Sequence, residues 1–206
     1  MTHPYVDPEG DQDRADDTAS IELPWVAMDM GGSNLRRQVE AAGPITGQAF
    51  KDAAFDMCDA VAHIHEQNMI HRDIKPENFV ADASRPGRLL MIDFGIAKYV
   101  GEDVDGRPFD DFTKQKEFVG PQAFSSAELL EYARDKSVVV DRRSDLFQLG
   151  KVLWFMATGI VSAGIPSRKL DPFNGPLYEL VSSLLCDDPN DRLQSAANVR
   201  SALLGL

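Results

Sequence analysis

The chain has few cysteines, a deficit of positive charge and no long apolar run. Its two cysteines, Cys58 and Cys186, lie in helical, apolar surroundings, so we expect small buried hydrophobes rather than a disulfide or a nucleophile. The net charge of -12 disfavours binding to nucleic-acid backbones, and we expect no nucleic-acid partner. The default location for such a chain is a reducing cytoplasm.

The longest apolar run covers residues 152–165 and follows Lys151. Its 14 residues are fewer than the roughly 20 that a membrane span needs, so we interpret the run as a buried core helix and expect no membrane partner. The first residues show no basic region followed by an apolar stretch, which argues against a signal peptide.

Length and composition predict one globular domain. A chain of 206 residues with 43% hydrophobic and 26% charged residues can build one continuous core. Residues 1–20 are polar and acidic and predict a flexible segment without a site, whereas residues 21–30 contain a strand-like apolar run that ends at Gly31. We expect the ordered part of the domain to begin near this run.

Hydrophobic spacing then predicts mostly helices. From Thr46, which can cap a helix, apolar residues recur every three or four positions up to about Asn68. Further helical stripes follow Asp145 and continue to the end of the chain. Residues 79–81 and 89–92 are short apolar strands around a turn, so the expected fold class is α+β and mainly helical.

The strongest motif lies between the predicted helix and the two strands. Residues 71–78 have the sequence His-Arg-Asp-Ile-Lys-Pro-Glu-Asn, and residues 93–95 are Asp-Phe-Gly. Four fixed residues at the first spacing would arise by chance in about one chain in a thousand of this length. The paired strands place Asn78 and Asp93 at one edge.

This constellation resembles the large C-terminal lobe of the eukaryotic-type Ser/Thr protein kinases. The resemblance implies a kinase-like large lobe at residues 28–206, from hinge to final helix, with a few short β-strands at the active edge. Residues 1–27 would be an acidic flexible segment plus a remnant of the last strand or strands of the small lobe. No Gly-x-Gly-x-x-Gly precedes the motif and no Lys precedes Lys51, so most of the small lobe is expected to be absent.

The resemblance also implies a catalytic set. Asp73 would accept or orient the hydroxyl proton of a protein substrate, and Lys75 would place a positive charge beside the transferred phosphate of ATP. Asn78 and Asp93 would hold Mg²⁺ through hard oxygen ligands.

The adenine of ATP is expected to lie against the hinge in this family. Backbone groups around Met28 and Met30 would pair with its edge, and Val80 would form the floor of the pocket.

Other residues of the resemblance would support the site. His71 and Phe94 would stack, Asp145 would accept backbone hydrogen bonds from the catalytic loop, and Arg192 would pair with Glu128. Arg72 would bind a phosphorylated activation segment, for which Thr113 is the favoured acceptor.

Three functions remain open from sequence. The first is the large lobe of a Ser/Thr kinase whose small lobe lies outside this sequence, through truncation, a split gene or a mis-set start, or is supplied or replaced by a partner. The second is a weak or inactive kinase-like interaction module, because the phosphate-covering loop is missing. The third is a small-molecule phosphotransferase. Three features argue against it: the Arg of His-Arg-Asp, the Lys75-Pro76 step, and the Arg143-Ser144-Asp145 sequence at the start of a predicted helix.

Overall fold

The structure is a computed structural model that describes residues 31–99 and 122–206. Its elements in chain order are α1 (Leu35–Ala42), α2 (Gly47–Glu66), β1 (Met69–Ile70), β2 (Phe79–Ala81), β3 (Leu89–Met91), β4 (Lys98–Tyr99), α3 (Ala127–Arg134), α4 (Arg142–Thr158), α5 (Pro176–Leu184) and α6 (Ala196–Leu203). The expected fold class, α+β and mainly helical with a few short strands, is confirmed. The boundary expected between residues 27 and 28 lies outside the described residues.

Helix α2 forms where the apolar spacing predicted it. It begins after Thr46, whose extended backbone takes the N-cap position, but the Thr46 side chain makes no capping hydrogen bond. The helix ends at Glu66, and Asn68 has a φ of 55°, which turns the chain out of the helix and into β1. The predicted extent of the helix is therefore nearly correct, and Thr46 takes the predicted N-cap position, but without a side-chain hydrogen bond.

Helix α4 is the central element of the core. Asp141 caps its start by accepting a hydrogen bond from the Arg143 backbone N–H, and nearly all residues from Ser144 to Ala157 are buried. The helix ends at Gly159, whose φ of 72° is a left-handed conformation that favours glycine.

The interpretation of residues 152–165 as one buried helix is wrong beyond Thr158, because the left-handed Gly159 stops the helix there. Ile160 and Ile165 are exposed, with 45% and 77% of their surface accessible. Among the helices of the described ranges, none is both long and apolar enough to cross a membrane.

Two short antiparallel pairs bring distant segments to the loop that carries the motif. β2 pairs with β3 in the register Phe79 to Met91 and Ala81 to Leu89. β1 pairs with β4. On the other side of β2, the Gly32 N–H donates to the Ala81 carbonyl at 2.8 Å, so residues 32–34 run along the hairpin.

The hydrophobic core lies between α2, α4, α5 and α6. Its largest fully buried side chains include Trp154, Phe50, Phe79 and Met57. Cys58 belongs to this core, and burial raises the pKa of its thiol to about 12. Cys58 and the partly buried Cys186 are both free thiols, as the sequence predicted.

Candidate active site

The motif loop, residues 71–78, runs from β1 to β2. Asp145 of α4 holds its first residues by hydrogen bonds. Oδ2 of Asp145 accepts a hydrogen bond from the His71 backbone N–H at 2.9 Å, and Oδ1 accepts one from the Arg72 N–H at 2.8 Å. The Asp145 side chain is fully buried. The supporting role predicted for Asp145 is confirmed by this geometry.

Two further anchors of the loop were missed from the sequence. His65, near the end of α2, approaches Asp145 Oδ2 with its Nε2 at 2.8 Å. Gln148 of α4 accepts from the Ile74 N–H at 3.1 Å and donates to the Arg72 carbonyl at 3.2 Å. One signal was available: Gln148 is polar within an apolar helix and lies three positions after Asp145, on the same helical face.

Three side chains converge at the centre of the loop. Oδ2 of Asp73 accepts from the Lys75 ammonium at 2.7 Å and from Asn78 Nδ2 at 3.0 Å. Asn78 Nδ2 also donates to the Asp73 carbonyl at 2.8 Å. Because both Asn78 donors point towards Asp73, the planar amide directs its oxygen Oδ1 away from Asp73.

The hairpin brings Asp93 to the same edge. The Ile92 N–H donates to the Asn78 carbonyl at 2.9 Å, which extends the β2–β3 pairing by one step, so that Ile92 pairs with Asn78 and Asp93 follows immediately after this pair. Asp93 is exposed, has a φ of 65°, and accepts a hydrogen bond from the Gly95 N–H through Oδ1 at 3.2 Å.

The oxygen donors at this edge fit a hard cation. Water and phosphate oxygens would fill most of the coordination positions of such a cation. Among the described residues, no group of three or more His, Cys, Asp or Glu is placed to hold a metal. Asn78 Oδ1 and the Asp93 carboxylate could supply two oxygen ligands, and Mg²⁺ is often held by only one or two protein oxygens beside the phosphates of a nucleotide. This edge therefore fits magnesium with a phosphate ligand better than a metal enclosed by protein alone.

The predicted floor residue, Val80, is buried beneath the segment before α1. A Cβ placed on Gly31 would lie 2.6 Å from Val80 Cγ2, so glycine at position 31 permits this close approach. The other two adenine-binding residues predicted from sequence, Met28 and Met30, lie outside the described residues.

The remaining motif residues occupy supporting positions. The rings of His71 and Phe94 lie 5.0 Å apart with a 50° tilt, and His71 is fully buried. Arg72 donates through Nε to the Ile96 carbonyl at 2.8 Å and lies over the Tyr132 ring. Thr113, the predicted partner of Arg72 when phosphorylated, lies outside the described residues.

A buried ion pair joins α3 to the segment before α6. Arg192 donates from Nη1 and Nη2 to the two oxygens of Glu128 at 2.6 and 2.9 Å, and its side chain is fully buried. Burial alone would raise the pKa of Glu128, but the hydrogen bonds and positive charge of Arg192 hold that pKa below its ordinary value. The pair predicted from sequence is confirmed.

Comparison with known proteins agrees with this arrangement, since residues 22–203 match the family model of the protein kinase domain. The chain belongs to the protein kinase family. The sequence-based resemblance to eukaryotic-type Ser/Thr kinases is thereby confirmed.

Similar kinases come from bacteria and yeast. The chain is 29% identical to serine/threonine-protein kinase PknB of Mycobacterium leprae over 99% of its own length and 33% of that protein. It is 34% identical to serine/threonine-protein kinase PKH1 of Saccharomyces cerevisiae, over 68% of the chain and 20% of that protein. The chain thus spans about a third of the length of the PknB relatives.

Proposed function

We propose that this chain provides the catalytic lobe of a protein serine/threonine kinase, which transfers the γ-phosphate of ATP to a hydroxyl group of a protein substrate. The observation that carries the proposal is the convergence of Lys75 and Asn78 on Asp73 in a loop that α4 holds in place. Phosphoryl transfer depends mainly on positioning and on charge neutralisation, and this arrangement supplies both.

In this proposal Asp73 is the group that meets the substrate hydroxyl. Within the described residues, its hydrogen bonds from Lys75 and Asn78 go to Oδ2, which leaves Oδ1 for the hydroxyl proton. The side chain of Asp73 is 13% exposed, so it is open to a substrate and yet largely shielded from water. Lys75, held at 2.7 Å from Asp73, would place its charge beside the phosphate that moves.

Asn78 and Asp93 would hold Mg²⁺ together with ATP. The ion would neutralise charge on the phosphates and fix their orientation towards the acceptor. Asn78 Oδ1 is turned away from Asp73, and the exposed Asp93 carboxylate stands at the same hairpin end. We further propose that adenine lies over Val80 and pairs with the backbone near Met28 and Met30.

One sequence observation favours a variant of this function that needs a partner. Within the 206 residues there is no Gly-x-Gly-x-x-Gly before the motif loop and no Lys before Lys51. The groups that cover the ATP phosphates would then come from outside this sequence, either from the same longer protein or from a partner chain that supplies or replaces the small lobe. Without such a supplement the lobe would act as a kinase-like interaction module in the cytoplasm.

The test is transfer of radiolabelled γ-phosphate from Mg-ATP to a protein mixture rich in Ser and Thr. Asp73→Asn should lower the rate about 1,000-fold, since it removes a group that orients the hydroxyl proton. The matched control is Asp59→Asn, which changes an exposed carboxylate of α2 that pairs with Arg200.

Two results would contradict the proposal. Equal transfer rates for Asp73→Asn and Asp59→Asn would remove Asp73 from the reaction. If the wild-type chain bound Mg-ATP but transferred no phosphate when a small lobe of a related kinase was added, the interaction module would be the better account.

A further inference from the structure

Gln148 holds the two peptide groups that flank Asp73. Its Oε1 accepts from the Ile74 N–H at 3.1 Å, and its Nε2 donates to the Arg72 carbonyl at 3.2 Å. The first group belongs to the peptide bond after Asp73, and the second belongs to the peptide bond before it. One side chain therefore restrains the backbone on both sides of the Asp73 Cα.

The chemistry of this clamp is specific to an amide side chain. Gln148, Ile74 and Arg72 are all at least 96% buried, so water cannot readily replace either hydrogen bond. An ionised glutamate at position 148 would keep the acceptor but lose the donor, and a leucine would lose both. Only a side chain of this length with one donor and one acceptor on the same planar group spans the two peptide groups.

The clamp also acts where the backbone is strained. Arg72 has a φ of 65°, in the left-handed region that non-glycine residues rarely adopt. Asp145 holds the Arg72 N–H and Gln148 holds the Arg72 carbonyl, so both polar groups of this residue are fixed by α4. The two anchors lie three positions apart on one helical face.

We infer that Gln148 is a positioning residue for phosphoryl transfer, because it sets the backbone orientation from which the Asp73 carboxylate faces the acceptor hydroxyl. This inference rests on the proposed function for its kinetic consequence. Asp145 holds the N–H groups of His71 and Arg72, whereas Gln148 holds the Arg72 carbonyl and the Ile74 N–H, which belong to the two peptide bonds of Asp73. The magnesium ligands proposed above are on the hairpin and make no hydrogen bond to Gln148 in the described chain.

The first measurement is amide hydrogen exchange of Ile74 in Gln148→Leu and Gln148→Glu. In Gln148→Leu the Ile74 amide should exchange about tenfold faster after correction for global stability, because its acceptor is gone. In Gln148→Glu it should keep its protection. The control is Met156→Ala, which truncates a fully buried residue two turns further along α4 and should leave the corrected Ile74 exchange unchanged.

The second measurement separates positioning from general destabilisation. For Gln148→Leu, kcat should fall about 100-fold while the KM for ATP rises by less than about tenfold, because Asp73 is displaced directly and Asn78 only through its hydrogen bonds to Asp73. For Met156→Ala, kcat should stay within about threefold at a temperature where both variants are folded. The kcat of Gln148→Glu should lie between the values for Gln148→Leu and Met156→Ala, because Gln148→Glu retains one of the two hydrogen bonds.

The outcomes distinguish this inference from the proposed function. Unchanged Ile74 exchange in Gln148→Leu, or a kcat equal to that of the wild type, would overturn the role of Gln148. A wild-type chain that transfers no phosphate would instead overturn the proposed function. In that case the exchange data alone still decide whether Gln148 holds the backbone beside Asp73.

Discussion

Replacing Asp145 by Asn is the sharpest test of how α4 supports the catalytic loop. The Asp145 carboxylate is fully buried and is approached by the His71 N–H, the Arg72 N–H and His65 Nε2, all within 2.9 Å. An asparagine keeps the shape but has only one acceptor oxygen. Its amide group would point a donor at one of the backbone N–H groups.

The expected cost follows from these contacts. One buried N–H loses its acceptor, at about 1–3 kcal/mol, and a second bond changes from a carboxylate acceptor to a neutral one, at about 1 kcal/mol. We therefore expect Asp145→Asn to lower the free energy of unfolding by about 3 kcal/mol. This corresponds to about a 150-fold change in the unfolding equilibrium and to a fall in Tm of about 6–12 °C for a domain of this size.

The assay is urea unfolding followed by circular dichroism, with Asp59→Asn as the matched control. Asp59 is 54% exposed and pairs with Arg200, so its replacement should cost less than about 1 kcal/mol. A loss of less than 1 kcal/mol for Asp145→Asn would refute the view that this carboxylate anchors the loop. An equal loss for both variants would refute it as well.

Two further predictions concern titratable groups elsewhere in the lobe. Because Arg192 holds the pKa of Glu128 below its ordinary value, ionised Glu128 contributes stability above that ordinary value, and the contribution is lost as pH falls through the lowered one. The measurement is urea unfolding between pH 6 and pH 3, a range set from the usual carboxyl pKa of about 4.3. The free energy of unfolding should depend less on pH in Glu128→Gln than in the wild type. An equal pH dependence in the two proteins would contradict the pairing. Cys58 is fully buried, and its thiol has a pKa of about 12. A thiol reagent at pH 8 should therefore label the partly buried Cys186 first. Equal labelling rates of the two cysteines in the folded protein would contradict the described core.

The motif allowed most of the catalytic loop to be anticipated from sequence. The β2–β3 hairpin follows from short apolar strands around a turn, and its register pairs Asn78 with Ile92, the residue before Asp93. Asp145 and the Glu128–Arg192 pair were also anticipated, because the family resemblance assigns partners to those positions. In each of these cases a local pattern or a motif specifies the contact.

Other contacts were missed, because they depend on tertiary packing and the sequence offered at most a weak signal for them. Gln148 meets the loop 74 positions earlier in the chain, and His65 meets Asp145 across 80 positions, distances at which spacing rules carry no information. The end of α4 was missed because the apolar run continues past Gly159, where the backbone becomes left-handed. Apolar composition alone does not reveal such a stop.

The most direct test of the central claim is paramagnetic broadening by Mn²⁺-ATP, a substitute for Mg²⁺-ATP, observed in the NMR spectrum of the chain. The account predicts that the backbone amide signals of Asn78 and Asp93 broaden most, and that Asp93→Ala abolishes the effect at Asn78. It would be contradicted by broadening centred elsewhere in the lobe, or by broadening at Asn78 that persists without the Asp93 carboxylate.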